Sequence, residues 1–321
     1  MKLRELFSEG KDRLTKCKVA DAENDSRLLL LDAFSLSLSE YLLYCDRDLS
    51  EIYLSSDILA RKEDFEQSIY LRSRRVPLQQ ILGGTQFMGL DFVVTPDVLI
   101  PRQDTEVLVE QVIYDFPNKD INILDMCTGS GCIAASLAVL GGYNEVVGAD
   151  ISEAALHVAQ RNALRLMKEK SERMSLKNSF MSSLFSRDED DFHQQVRFVQ
   201  TDLFSDMEAA MDELGFEKFD VIVSNPPYIR SSDIEELEPE VRDFEPRIAL
   251  DGTEDGLHFY RRIADECRPF LREGGSIYLE IGFDQAKDVR EIFEASGFSE
   301  LKVIKDLAGK DRVVKGKWMG A

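Results

Sequence analysis

Asn225-Pro226-Pro227-Tyr228 follows directly on the apolar run Phe219-Asp220-Val221-Ile222-Val223-Ser224. A β-branched run closed by two prolines reads as a buried strand stopped at its carboxyl end, because proline has no N–H with which to continue a ladder. Each proline also holds its predecessor extended, so carbonyls at the tip can point into a cleft. Asn225 adds an amide oxygen and Tyr228 a flat aromatic face. Together they suit a planar, nitrogen-bearing group, whose N–H hydrogens would be accepted by the oxygens and whose plane would stack on the ring. That is the way to hold an amide or an exocyclic amine for transfer to nitrogen. An ordinary Asn-Pro turn is the bland alternative, and the surroundings decide between them.

Upstream, the strand-like Ile121-Asn122-Ile123-Leu124-Asp125-Met126 runs into Cys127-Thr128-Gly129-Ser130-Gly131 and then a helical run from Cys132 to Leu140. Glycines at a strand-to-helix turn let backbone approach a ligand, and the helix start offers free N–H donors. The next strand, Glu145-Val146-Val147-Gly148-Ala149-Asp150, ends in a carboxylate placed to accept both hydroxyls of a ribose. The glycine spacing alone also fits a dinucleotide fingerprint. The combination argues against a nicotinamide cofactor, since a third strand, Arg197-Phe198-Val199-Gln200, ends at Thr201-Asp202 and the fourth ends at Asn225. Asp125, Asp150 and Asp202 thus close three successive strands along one edge, beside an amine-binding turn, and in an open α/β sheet that edge is where ligands bind.

With these residues in view, the chain resembles the class I S-adenosylmethionine-dependent methyltransferases, and more narrowly the glutamine-N5 methyltransferases of peptide chain release factors. The narrow resemblance rests on segments in series: Val98-Leu99-Ile100-Pro101-Arg102-Gln103-Asp104-Thr105-Glu106, Asp125 to Gly131, Asn225 to Ile229, Glu245-Pro246-Arg247-Ile248-Ala249-Leu250, Asp255-Gly256-Leu257 and Leu279-Glu280-Ile281-Gly282. It covers essentially the whole chain, more weakly over roughly the first 70 residues. Gln103 stands where the family usually carries proline.

The resemblance implies S-adenosylmethionine as methyl donor, S-adenosylhomocysteine as product, and the glutamine of a Gly-Gly-Gln motif in release factors as acceptor. It implies that Asp125, Cys127, Thr128, Gly129, Ser130, Gly131, Ile151 and Asn225 help to hold the cofactor, with its ribose on Asp150 and its adenine near Asp202 and Leu203. Asn225, Pro226 and Tyr228 would carry the catalysis, and Pro227 would border the substrate with them. Arg102 and Glu106 would orient the cofactor's amino-acid end or hold the domain junction. Glu280 would sit at the substrate edge or be paired with a basic residue, and Arg247 would border the cleft or form an internal salt bridge. Asp202 as a helix N-cap is an equal alternative to its adenine role.

A chain of 321 residues with 44% hydrophobic content suits two domains. From Leu3 to about Gly83, stretches such as Ser26 to Ala33 and Ile52 to Leu71 show helical spacing without strand runs, which predicts a small helical bundle over 1–83. Asp25 or Ser26 would cap a helix, and Leu28, Leu29, Leu31 and Leu42 would be core. A β-hairpin around Gly89-Leu90 would connect the domains over 84–100. Beyond it, over 101–321, alternating strands and helices predict a mostly parallel sheet covered on both faces, and the resemblance implies a Rossmann-like sheet of seven strands with the last antiparallel. Ser276 to Ile281 fits the fifth strand, and Leu301 to Ile304 with Arg312 to Val314 the final pair. The Ser-, Met- and charge-rich stretch 168–195 reads as a surface insertion, partly helical or mobile.

A formal charge of −21 argues against broad nucleic-acid binding, which needs clustered lysine and arginine. The cluster Arg72, Arg74 and Arg75 reads by default as a solvated face. No stretch is long and apolar enough for a membrane span or shaped like a secretory signal, so a cytoplasmic protein is expected. Five cysteines without paired metal spacing suggest reduced thiols and no structural metal, with Cys127 and Cys132 as small packing residues. His157, His193 and His258 are expected in surface or packing roles, and the oligomeric state is expected to be monomeric. Base methylation at adenine N6 or guanine N2 is the runner-up function, since an exocyclic amine presents the same planar group. A binding protein with a dead methyltransferase fold and a nicotinamide oxidoreductase stand behind it.

Overall fold

The computed structural model describes residues 1–177 and 196–320, and the chain divides into two compact units. The first comprises Met1–Gly84 together with Glu238–Phe244. Its helices are α1 (Leu3–Lys16), α2 (Ala22–Phe34), α3 (Leu38–Tyr44), α4 (Ser55–Ser73) and α5 (Leu78–Leu82), as the periodicity predicts. Leu3, Leu6, Leu14, Leu29, Leu30, Phe34, Phe65 and Ile69 form their common core.

Three local expectations are corrected here. Asp25 and Ser26 do not cap α2; the N-cap is Asp21, and both lie inside the helix, with Asp25 ion-paired to Arg72 at 2.7 Å and Ser26 donating to the Phe7 carbonyl at 2.9 Å. Leu42 is 67% exposed, because the short α3 turns Tyr41 rather than Leu42 into the core. Arg72 and Arg75 are not a solvated face, for both pair with Glu240 of the short helix Pro239–Arg242, at 2.7 and 2.6 Å. Local spacing carries no signal for a partner lying 168 positions along the chain.

The second unit comprises Thr85–Leu237 and Glu245–Ala321. The hairpin of β1 (Gly84–Phe87) and β2 (Leu90–Val93) turns at Met88 and Gly89, which have φ of +53° and +71° and so suit a tight two-residue connection. Phe87 and Phe92 are buried in this unit's core, so the hairpin is an integral part of the unit and more than a connector.

After α6 (Gln103–Asp115) come β3 (Asn122–Met126), α7 (Cys132–Ser136), β4 (Glu145–Asp150), α8 (Glu153–Lys177), β5 (Val196–Gln200), α9 (Met207–Leu214) and β6 (Phe219–Ser224). The helix Pro239–Arg242 is α10. It is followed by α11 (His258–Glu266), β7 (Leu271–Glu280), α12 (Ala286–Ala295), β8 (Phe298–Lys305) and β9 (Asp311–Trp318). One sheet of seven strands runs in the order β5-β4-β3-β6-β7-β9-β8, with β9 antiparallel to both neighbours and the other pairs parallel.

Its strands are apolar on both faces, with alternating residues sent to opposite layers. Ile123, Val221, Val223, Tyr278 and Val313 pack with Leu108, Ile133 and Ala163, while Leu124, Ile222, Ile277, Leu279 and Val314 pack with Met207, Tyr260 and Val289. Helices therefore cover the sheet on both sides. The stretch read as an insertion begins as a continuation of α8 as far as Lys177, and the rest of it, with His193, lies outside the described residues. Among the described residues no helix is long and apolar enough to cross a membrane.

Candidate active site

The carboxyl ends of β3, β4 and β6 converge on a cavity of about 300 Å³ in the second unit, within the size range of small-molecule sites. Local hydrogen bonds lock the strand ends together: Ser224 Oγ donates to the Met126 carbonyl at 2.6 Å, and Thr128 N–H to the Ala149 carbonyl at 3.0 Å. Cys127 and Leu203, both on the cavity wall, have φ of +62° and +50°, left-handed values uncommon outside glycine. Such backbone costs of order 1–3 kcal/mol and clusters where a site fixes unusual geometry.

The glycine turn is built from both sides. Gly131 has φ +76°, and a Cβ there would stand 2.9 Å from Ala159 Cβ, so only glycine lets the turn seat on α8. A Cβ on Gly129 would meet nothing within 4 Å, which leaves open space over the turn on the cavity side. Asp125 is fully buried and does not border the cavity. Its Oδ2 accepts the Thr128 hydroxyl at 2.6 Å and the Ala134 N–H at 3.0 Å, so it fastens the turn to the start of α7. Burial pushes its carboxyl up to about 7.

Asp150 lines the cavity and receives the Gly129 N–H at 2.9 Å and the Ser152 N–H at 3.0 Å, one on each oxygen. Each oxygen keeps a further lone pair for a ligand hydroxyl. Thr128, Gly129, Ser130, Ile151, Asp202 and Leu203 also border the cavity. Asp202 is not a helix N-cap, because α9 starts after Asp206, and its carboxylate pairs with Arg262 at 2.7 Å. Cys127 and Cys132 border the cavity as neutral thiols, with burial pushing Cys132 up to about 12 and Cys127 higher still.

Asn225 and Pro227 face the same space. Asn225 gives its Nδ2 to Thr105 Oγ1 at 3.3 Å, and among the described residues no donor occupies its Oδ1. Pro226 is buried and Tyr228 half-buried, and neither is part of the cavity lining; the Tyr228 hydroxyl donates to Glu280 Oε1 at 3.4 Å. Glu280 is 2% exposed at the end of β7 and is likewise set behind the wall. Arg102 borders the cavity and pairs with the buried Glu245 at 2.6 Å. Glu106 is away from the cavity and accepts the Met88 N–H at 2.6 Å, so it braces the hairpin. Arg247 is exposed and pairs with Asp251 at 3.3 Å and Glu235 at 3.7 Å, while its neighbours Pro246, Ile248 and Ala249 form part of the lining. Gln103 opens α6, a position that suits proline but does not require it, so the departure leaves the helix start intact.

Several contributors were not singled out in the sequence. His258 and Arg262 of α11 form part of the wall, although His258 was expected in a surface or packing role. Asn162 of α8 is fully buried; its Oδ1 accepts the Val93 N–H at 2.8 Å, and its Nδ2 donates to the Val93 and Ser130 carbonyls at 3.0 Å each. It clamps the hairpin to the glycine turn. An asparagine next to Ala159 and Ala163 on the apolar face of a long helix was the available signal, since buried amides are there to be hydrogen-bonded.

Two family models match the chain: the PrmC N-terminal domain over residues 5–83 and the Eco57I restriction-modification methylase over residues 144–255. A release factor glutamine methyltransferase of Clostridium botulinum is 35% identical over 318 residues, spanning 99% of this chain and 99% of its own. One from Geobacter sulfurreducens is 44% identical over 246 residues, 77% of this chain and 75% of its own. Among solved structures, the hMettl16 catalytic domain in complex with MAT2A 3′UTR hairpin 6 aligns over 78% of this chain and 81% of its own, with a TM-score of 0.51 at 14% identity. That likeness is one of fold.

Proposed function

The chain belongs to the release factor glutamine methyltransferase family, and we propose that it moves a methyl group from S-adenosylmethionine to the side-chain nitrogen N5 of the glutamine in the Gly-Gly-Gln motif of peptide chain release factors. The observation that carries the reading is Asn225: it sits on the cavity wall with its Nδ2 engaged inward and its Oδ1 left for a ligand.

The residues present fit the cofactor. Open space over Gly129, the Asp150 carboxylate at the tip of β4 and the cavity's size match an adenosyl group with a diol. Gly129, Ser130 and Gly131 would hold it by backbone, Asp150 by its ribose hydroxyls, and Asp202 with Leu203 would border its base. When bound, S-adenosylmethionine supplies a methyl carbon on positively charged sulfur, and S-adenosylhomocysteine is what remains after transfer.

The protein's part is positioning. A glutamine amide nitrogen is a poor nucleophile because its lone pair is delocalised into the carbonyl. Asn225 Oδ1 and the Pro226 carbonyl would accept the two N5 hydrogens, polarising the N–H bonds and turning the lone pair toward the cavity. Tyr228 would stack on the amide plane. The nitrogen loses its proton after the N–C bond has formed, so no strong base is required beside it. The same acceptors suit an exocyclic base amine, but the −21 charge disfavours a nucleic-acid substrate.

The test is transfer of label from S-adenosylmethionine to purified release factor, to the same factor with its Gly-Gly-Gln glutamine changed to alanine, and to nucleic acid. Label on the first alone is expected. Label on nucleic acid alone would replace this reading with base methylation.

A further inference from the structure

Asn225 can act as an acceptor only if its amide is held one way round, and the oxygen and NH₂ ends are so alike in shape that only their hydrogen bonds can decide which way that is. The structure ties that choice to two residues outside the Asn-Pro-Pro-Tyr turn. Thr105, 2% exposed on α6, takes the Asn225 Nδ2 on its Oγ1 at 3.3 Å. The Thr105 side chain stands near enough to the Glu280 carboxylate to favour its charged form, and the Tyr228 hydroxyl reaches Glu280 Oε1 at 3.4 Å. Glu280 Oε2 is buried and has no hydrogen-bond partner among the described residues, which leaves the carboxylate an unfilled acceptor for the rotatable Thr105 proton.

A hydroxyl has one proton, and once that proton is given to a carboxylate only lone pairs face Asn225. The amide must then turn its NH₂ inward and its oxygen outward. We infer that Thr105 and Glu280 are positioning residues: the carboxylate, acceptor only, fixes the direction of the chain Glu280–Thr105–Asn225 so that Oδ1 meets the substrate amide, and the same carboxylate holds the Tyr228 ring. This rests on the reading of Asn225 as the acceptor for a glutamine amide.

The inference gives a sign to the pH dependence. Burial pushes Glu280 up to about 7. The groups that act on it are the Tyr228 and Thr105 hydroxyls, Arg312 of β9, Asp104 of α6 and the Cys132 thiol, while the Tyr260 hydroxyl donates to the Glu280 carbonyl at 2.8 Å. Arg312 is shared with Asp104 at 3.0 Å and Asp306 at 3.1 Å, so it neutralises Glu280 only in part. A protonated Glu280 becomes a donor to Thr105, Thr105 then donates to the Asn225 oxygen, and the amide flips to present N–H to N–H. Turnover therefore falls as pH drops through about 7.

The test compares wild type, Thr105→Val and Thr105→Ser as full chains, with release factor as substrate, reading kcat and KM across pH and S-adenosylmethionine affinity by calorimetry. Valine keeps the shape and removes the hydroxyl. It is expected to lower kcat on the order of 10- to 100-fold, the scale of a misplaced catalytic group, with cofactor affinity within about twofold and the acid limb flattened. Serine is expected to restore most of the rate and the limb, and Glu280→Gln, which cannot titrate, to remove the limb. A valine variant with wild-type kcat and limb would overturn the inference while leaving the substrate reading intact. So would a serine variant as slow as valine, because the site would then need the methyl group and not the hydroxyl. No transfer by the wild type would overturn the substrate reading and this inference with it.

Discussion

Asn225 is asked to donate on one side and accept on the other. Asn225→Ala removes the acceptor for N5 without touching the glycine turn, so kcat is expected to fall by about 10²–10³-fold, as for loss of one preorganised polar group, with S-adenosylmethionine binding largely spared. Equal losses in both, from kinetics and calorimetry, would mean the residue only supports the fold. Asp150→Ala should do the reverse. Losing hydrogen bonds to a charged acceptor costs about 1.5–3 kcal/mol, which corresponds to roughly 10- to 100-fold in cofactor affinity. Asp150 also holds the Gly129 and Ser152 N–H groups, so Asp150→Asn, which keeps an acceptor, should lose less. An unchanged dissociation constant in the alanine variant would remove Asp150 from the ribose.

At the scale of elements, the strand tips were legible from sequence and their bracing was not. The runs ending at Asp125, Asp150 and Asn225 announce themselves through β-branched residues followed by glycine or proline, and the structure sets β3, β4 and β6 side by side. Thr105 and Glu280 were visible as members of motifs, but that one would face the other through α6 and β7 depends on packing that no local pattern encodes. The helix α10 is the clearest case. Read from sequence it belongs with the sheet, yet Glu240 completes a buried network with Arg72, Arg75 and Asp25 in the helical unit. The Arg72 and Asp25 side chains are only 8% and 6% exposed, so removing the cation strands the Asp25 carboxylate, while Glu240 keeps Arg75. Arg72→Leu is expected to cost about 3–5 kcal/mol in urea unfolding of the full chain, as for one partner lost from a buried pair. A loss below about 1 kcal/mol is the range of an exposed pair and would show that the network is not desolvated.

For the whole molecule, the chain leaves the sheet-containing unit at Leu237, contributes Glu238–Phe244 to the helical unit, and returns at Glu245, the partner of Arg102 on the cavity edge. The helical unit therefore owns part of the segment that follows the Asn-Pro-Pro-Tyr turn. We expect this unit to dock the protein substrate as well. Deleting residues 1–80 should then lower kcat/KM for folded release factor well beyond the loss seen with a short Gly-Gly-Gln peptide, which measures the damage done by freeing α10 from Arg72 and Arg75. Equal losses would leave the unit as a support for that segment and nothing more. The most direct test of the central claim is mass spectrometry of release factor after incubation with the full chain and S-adenosylmethionine, reading which atom of which residue gains the methyl group. One methyl on the side-chain nitrogen of the Gly-Gly-Gln glutamine, lost with Asn225→Ala, is the predicted result. A methyl on any other residue, or on the same glutamine undiminished in Asn225→Ala, would contradict the account.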